Sequence, residues 1–462
     1  MEDMTLDTYH KAQAFNMDRG AYGTIAEIGA GQETVRWFFK VGGAAGSIAK
    51  SLSAYDMKVS DSIYGTCQRY VSRERLQAML DTEYASLIDR LGETRGSECR
   101  FFAFANTVAT FSYMQQRAGH GWLGIRFQTQ PGEVPSQIEV HVALKGKSGP
   151  QDQETLGILG VNLIYGAYYQ REDPLSLLTS LMDNLSRDQL EIDMIDFSGP
   201  AFEHVDNRLM ALKLVQHGLT QAAMFTPDGK LVQPSDALYK KSVLIERSRF
   251  RPPTKFNINM LDGAYQEFCK EEDVDSDNVL VLSEITLQNL TDGDAIDVED
   301  FLQRVDILCA LGKNVMISSF DRFYRLAQYL FKCTSKPVAV ALGVPMLRQL
   351  FNEAYYDDLE GGILEAFGRL FRNDMRMYVC PAIEADGTLT TINELRVSNH
   401  LRHLYKHLVE NNYLRSLDTV DRDHLSIHAD DVLARIRAGD ESWKTLVPQT
   451  VSDIICERNL FL

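Results

Sequence analysis

The sequence predicts an α/β protein in two parts: a mixed α+β N-terminal region over residues 1–250, then a doubly wound, mostly parallel C-terminal sheet over 251–462. Three observations carry this. Past residue 279, apolar runs such as VLVLSEITL (279–287), NVMISSF (314–320), KPVAVALG (336–343) and MRMYVCP (375–381) alternate with helical segments. Strands that are apolar throughout are covered on both faces, as in a parallel sheet. Before residue 250, strand-like runs lie closer together, and Pro/Gly-rich joints such as QPGEVPS separate some of them, as hairpins require. Between the two parts, ERSRFRPPTKF (246–256) carries Pro252-Pro253, which suits neither a helix interior nor a central strand and marks a boundary.

In order along the chain, TIAEIGA is a short strand that leads through a glycine turn into a helix over Thr34–Val41. Residues 73–93 place Leu76, Met79, Leu80, Tyr84, Leu87 and Leu91 on one helical face. Runs at 99–110, 121–129, 136–144 and 160–169 read as strands. Asp173-Pro174 opens a helix as cap and first-turn proline, 189–199 is a strand, and 206–219 is a helix closed by Gly218. TQAAMFTPDGKLVQP is a strand broken by a Pro-Asp-Gly turn. Helices over 297–312, 321–334, PMLRQLFNEAYY, DLEGGILEAFGRLFRN and 398–412 alternate with the later strands, and the tail to Leu462 is polar with one apolar patch.

Composition narrows the function classes. The chain has 462 residues, 45% of them hydrophobic and 24% charged, which suits a globular protein with a large core. Its formal charge of −17 argues against a nucleic-acid partner, because phosphate backbones need a basic face. No apolar run approaches 18 residues, so no membrane span is expected, and the polar, acidic start lacks the apolar core of a signal peptide. Seven scattered cysteines without a C-x-x-C pair suit reduced, mostly buried thiols in the cytoplasm.

Six stretches bear on chemistry. AEIGAGQE joins a strand to a helix. Gly29, Gly31 and Gln32 there could cradle a phosphate on free backbone N–H groups, although Thr34 stands where the third glycine of G-x-G-x-x-G belongs. The same EIGAG resembles the glycine motif of class I methyltransferases, and GGAAGSIAKS lacks the Gly-Lys-Ser/Thr ending of a P-loop. DVDSDNVLVLSE (273–284) has the carboxylate spacing of a calcium loop but no glycine at its sixth position, and a strand follows it. His400, His403 and His407 share a helical face without a further zinc ligand, and His120 sits between glycines before a strand. ISSFDRFYR is placed best: Ser318 and Ser319 end a strand of the parallel sheet, and Asp321, Arg322 and Arg325 open the next helix. Ligands of such sheets bind beyond the strands' carboxyl ends, and hydroxyls, helix N–H groups and arginines suit an anion.

The segments DRGAYGTIAEIGAGQE, VGGAAGSIAKSLSAYDM, GHGWLGIRFQ, LYKKSVLIERSRFRP and YYDDLEGGILEAFGRLFRND resemble a family of full-length bacterial proteins. Its members often carry the names nicotinate-nucleotide adenylyltransferase or TonB-dependent receptor. The resemblance covers most of the chain and implies a bacterial, cytoplasmic protein. Neither name has motif support here: the His-x-Gly-His loop of the first and the barrel of the second are missing from the pattern. The expectation from sequence is therefore a cytosolic protein that binds a nucleotide or other phosphorylated metabolite. Phosphoryl or nucleotidyl transfer would enlist Mg²⁺ with the nucleotide. The alternatives are a non-catalytic assembly protein, self-associating through aromatics such as Trp37-Phe38-Phe39 and Tyr355-Tyr356, and an S-adenosylmethionine-dependent methyltransferase.

Overall fold

The computed structural model describes residues 6–111, 118–292 and 295–461. The chain forms two compact units, Met1–Thr220 and Gln221–Leu462. Pro252-Pro253, expected as a boundary, instead lies inside the second unit, in the turn that follows one of its strands. A proline pair marks a break in secondary structure, and that break need not separate domains.

In the first unit, helix α1 (Thr8–Met17) precedes strand β1 (Ala21–Ile28), α2 (Glu33–Val41), β2 (Ile48–Leu52), α3 (Met57–Tyr64) and α4 (Arg73–Arg95). Strands β3 (Arg100–Ala109), β4 (His120–Phe127) and β5 (Ser136–Leu144) follow, then α5 (Gly149–Tyr169), α6 (Pro174–Ser180), β6 (Leu190–Ser198) and α7 (Asn207–Gln216). The sheet order is β2-β1-β3-β4-β5-β6, with β1 parallel to β2 and β3 and the remaining pairs antiparallel. One face carries Ile25, Phe102, Phe104, Leu123, Ile125, Phe127, Ile138 and Val140, packed with Phe15, Phe38 and the apolar side of α5. The other face mixes small and polar residues with Phe101 and Trp122, and α4 packs on it, bringing Leu76 and Leu80 against Gly124.

Residues 160–169 read as a strand but form the second half of α5. The segment is apolar on nearly every side and buried from Leu159 to Tyr168 except at Tyr165, which hides its 3.6-residue period. Its glycines allow close packing on α2: a Cβ at Gly160 would lie 2.3 Å from the Thr34 hydroxyl.

The second unit contains β7 (Ala222–Phe225), β8 (Leu231–Val232), β9 (Ser242–Arg247), α8 (Lys255–Phe268), β10 (Val279–Thr286), α9 (Val298–Ala310) and β11 (Asn314–Ser318). After these come α10 (Phe323–Cys333), β12 (Val338–Gly343), α11 (Val344–Leu350), α12 (Gly362–Leu370), β13 (Arg376–Cys380), α13 (Arg402–Glu410) and β14 (Leu414–Ser416). Helices α14 (Ala429–Ala438) and α15 (Gln449–Arg458) end the unit. The eight-stranded sheet runs β14-β13-β12-β9-β10-β11-β7-β8. Strands β9 to β14 are mutually parallel, and the β7–β8 hairpin adds antiparallel to β11.

Numbered by appearance, the six parallel strands lie in the order 3-2-1-4-5-6, that of a Rossmann-type doubly wound sheet. Helices α10 to α13 bury their apolar stripes on one face against Val243, Ile245, Met316, Val340 and Met377. Helix α8 covers Leu244, Ala339, Ala341 and Tyr378 on the other. The doubly wound fold expected for the C-terminal part is therefore present, and it begins before residue 251 because β9 is its first parallel strand. The tail is more structured than its polarity suggests: Val432, Ile436, Trp443, Val451 and Ile455 form a small core with Ile307 of α9.

Candidate functional site

The glycine turn after β1 is closed by the protein itself. Glu27, buried in β1, accepts hydrogen bonds from the backbone N–H groups of Thr34 at 3.1 Å and Val35 at 3.0 Å, buried first-turn donors of α2 that have no acceptor within the helix. Asn106 donates to the same carboxylate at 3.0 Å. Burial pushes the Glu27 carboxyl up, and these donors pull it part of the way back. Gly31 donates its N–H to the Tyr55 hydroxyl at 2.5 Å, and Gln32 caps α2 without a side-chain hydrogen bond. The positive partial charge that a phosphate would seek is met by an internal carboxylate.

Gly29 has its own structural reason. Its φ is +97°, and a Cβ there would sit 1.8 Å from the Val108 carbonyl oxygen. Gly29→Ala should therefore cost on the order of 3 kcal/mol, from strain and clash together. Gly31→Ala, with φ +78° and open surroundings, should cost about 1–2 kcal/mol. Urea unfolding of both variants checks the order, and equal losses would contradict it.

The carboxyl ends of the parallel strands of the second unit hold a cavity of about 450 Å³. Four loops build it. Arg247 ends β9, and Ser248 and Arg249 follow it; Thr286 ends β10, and Gln288 and Asn289 follow it; Phe320, Asp321, Arg322 and Phe323 follow β11; and Met346, Gln349 and Leu350 belong to α11 after β12, with Tyr355 and Tyr356 beyond them. This is where the topology of a doubly wound sheet leaves a crevice.

At its floor, Arg247 makes a two-pronged ion pair with Glu284 of β10, Nε and Nη2 donating at 2.8 and 2.9 Å. Ser318 Oγ donates to the same carboxylate at 2.6 Å, and the Arg247 guanidinium lies 4.3 Å from the centre of the Phe323 ring. Arg322 donates Nε–H to the Tyr355 carbonyl at 2.7 Å and stacks on that residue's ring at 4.7 Å. Arg249 is half exposed, its nearest carboxylate being Asp430 at 3.6 Å.

The residues expected from sequence at this end fare differently. Arg322 and Asp321 line the cavity. Ser318 is fully buried and committed to Glu284, and Ser319 bonds the Gln221 carbonyl at 3.3 Å. Arg325 is outside the lining and pairs with Asp321 at 3.4 Å and Asp358 at 3.2 Å. Arg247 and Arg249 were missed, because RSRFRPP reads as a linker. The signal for them was the apolar run SVLIE directly before, a strand whose end they mark. Tyr355 and Tyr356 serve the cavity wall.

The remaining motifs resolve as structure. Asp273 pairs with Arg376 at 2.6 Å, Asp275 caps a short 3-10 turn and Glu284 lies in β10, so the calcium-loop spacing gathers no common centre. His400 bonds Glu353 at 2.5 Å, and His407 contacts Asn411 at 3.2 Å. In the first unit, Asp193, His141 and His120 stand on three adjacent strands, His141 Nδ1 lying 2.5 Å from Asp193 and its Nε2 3.3 Å from His120. Among the described residues no group of three His, Cys, Asp or Glu is placed to hold a metal ion, and no helix is long and apolar enough to cross a membrane.

Fold and cavity together define a doubly wound α/β unit with an arginine-lined, aromatic-walled crevice at its strand ends. No protein-family model matches the chain, and neither does any curated protein. Among solved structures, the competence/damage inducible protein CihA from Agrobacterium tumefaciens is similar at 15% identity and a TM-score of 0.25, over 36% of this chain and 97% of that one. A competence-damaged (CinA) superfamily protein from Enterobacter cloacae is similar at 14% identity and a TM-score of 0.26, over 36% and 95%. A likeness this slight carries no argument about function.

Proposed function

We propose that the second unit binds a nucleotide or other phosphorylated metabolite in the crevice at the carboxyl ends of β9 to β12. The observation that carries this reading is the lining itself. Arg249 and Arg322 offer guanidinium donors suited to phosphate, beside an apolar wall of Phe320, Phe323, Met346 and Leu350. Arg247 is a poorer anion partner, because Glu284 already occupies two of its donors. The finer reading is phosphoryl or nucleotidyl transfer, in which Arg249 and Arg322 would stabilise charge on the transferred group. The assembly-protein reading loses Tyr355 and Tyr356, which face the cavity. The methyltransferase reading rested on a glycine turn whose helix N–H groups are occupied by Glu27.

A thermal-shift panel of ATP, GTP, nicotinate mononucleotide, NAD and S-adenosylmethionine, each with and without Mg²⁺, tests the proposal. A ligand at 100 times its Kd should add about 2.7 kcal/mol of stability. Arg322→Met and Arg249→Met should each weaken the phosphorylated ligand at least tenfold, about 1.4 kcal/mol. Undiminished binding in both variants would remove the crevice from consideration.

A further inference from the structure

In a sheet of this order, a dinucleotide's pyrophosphate ordinarily rests on a glycine-rich turn after the first strand and on the N-terminus of the helix that follows. Here that position is the segment from Ser248 to Thr254, between β9 and α8, and it contains no glycine. Phe250 within it has a φ of +49° and is buried at 1% exposure. Arg304, itself 1% exposed, donates to the carbonyls of Arg249 at 3.1 Å and Asn289 at 2.8 Å, tying this turn to the loop after β10. Arg251 pairs with Asp300 at 2.7 Å. The first turn of α8 is sealed by a reciprocal cap: the Thr254 N–H donates to Asn257 Oδ1 at 3.0 Å, and the Asn257 N–H donates to the Thr254 hydroxyl at 3.4 Å.

The usual pyrophosphate seat is therefore filled by the chain's own side chains and cap. The side chains around the cavity best suited to an anion are Arg249 and Arg322, with Gln288, Asn289 and Gln349 as neutral partners and Asp321, 3.6 Å from Arg322, as the one carboxylate among the described lining residues. Guanidinium groups can hold one compact phosphate without a backbone cradle. The aromatic wall of Phe320, Phe323 and Tyr355 suits one planar body.

We infer that the crevice takes a mononucleotide, one aromatic base with a single phosphorylated arm, and discriminates against pyrophosphate-bridged dinucleotides. The inference rests on the proposal that this crevice binds phosphorylated ligands. Calorimetric titration of the full chain with AMP, GMP, UMP, nicotinate mononucleotide, ribose 5-phosphate and NAD tests it, with Arg322→Met and Arg249→Met as site controls.

The expected result is that at least one nucleoside monophosphate binds ten times more tightly than both NAD and ribose 5-phosphate, and that both variants lose it. The two variants guard against a folding defect in either one. NAD binding as tightly as every monophosphate, and lost in the variants, would overturn the inference and leave the crevice proposal standing. Ribose 5-phosphate binding as tightly as the nucleotides would also overturn it, by removing the base from recognition. Binding unaffected by either variant, or no binding of any of the six, would overturn both.

Discussion

Glu284→Ala should destabilise the second unit by about 3–5 kcal/mol, the loss expected when one partner of a buried ion pair is removed. Glu284 is fully buried, and the Arg247 side chain is 7% exposed, so the guanidinium left behind can reach little water. Ser318 loses its acceptor in the same step. The double variant Arg247→Met/Glu284→Leu should recover most of the loss, because removing both charges removes the desolvation cost of each. Urea unfolding of the singles and the double closes the cycle. A double variant as unstable as Glu284→Ala would mean that the pair contributes through shape and packing, with charge a minor matter.

Glu246 sets the second large effect, this time with pH. It is fully buried on the α8 side of β9, where Asn257 donates to it at 2.7 Å. Burial pushes its carboxyl up to about 8. Between the ordinary carboxylate range near 4.5 and that value, the folded protein holds a proton that the unfolded chain has released. Stability is therefore fully present below about pH 4.5 and is lost as pH rises towards 8, at up to about 1.4 kcal/mol per pH unit. Glu27 adds to the same slope in the first unit, its carboxyl also being raised. Glu246→Gln keeps the contact with Asn257 and removes the proton. It should flatten the fall and leave the variant more stable than the parent at pH 8. Denaturation at pH 5, 6.5 and 8 measures this directly, and parallel curves for the two proteins would contradict it.

The second unit was legible because its central strands are buried on both faces and read as unbroken apolar runs. The strand-end rule then found Asp321 and Arg322 from sequence. It could not find Arg249, since β9 flows directly into a proline segment that looks like a linker. Nor could it show that Ser318 is spent on Glu284, a residue 34 positions earlier, because register between strands is not written in either strand alone. The first unit hid the second half of α5 for a related reason: a helical segment buried on nearly every side loses its polar stripe. The glycine turn was legible as a turn, but its occupant, Glu27, lies on the preceding strand and becomes visible only in three dimensions.

The pairing of β9 with β12 has a consequence for how the chain can be cut. Val243 to Glu246 align with Val338 to Ala341, so the middle of the sheet joins segments made far apart in synthesis. Until β12 emerges, β9 is an uncovered edge whose Val243, Leu244 and Ile245 are otherwise wholly enclosed. Open apolar edges recruit other strands. A fragment ending before Val338 would carry most of the crevice loops but no shield for that edge, and should precipitate. Any expression or dissection of the second unit must keep both halves together.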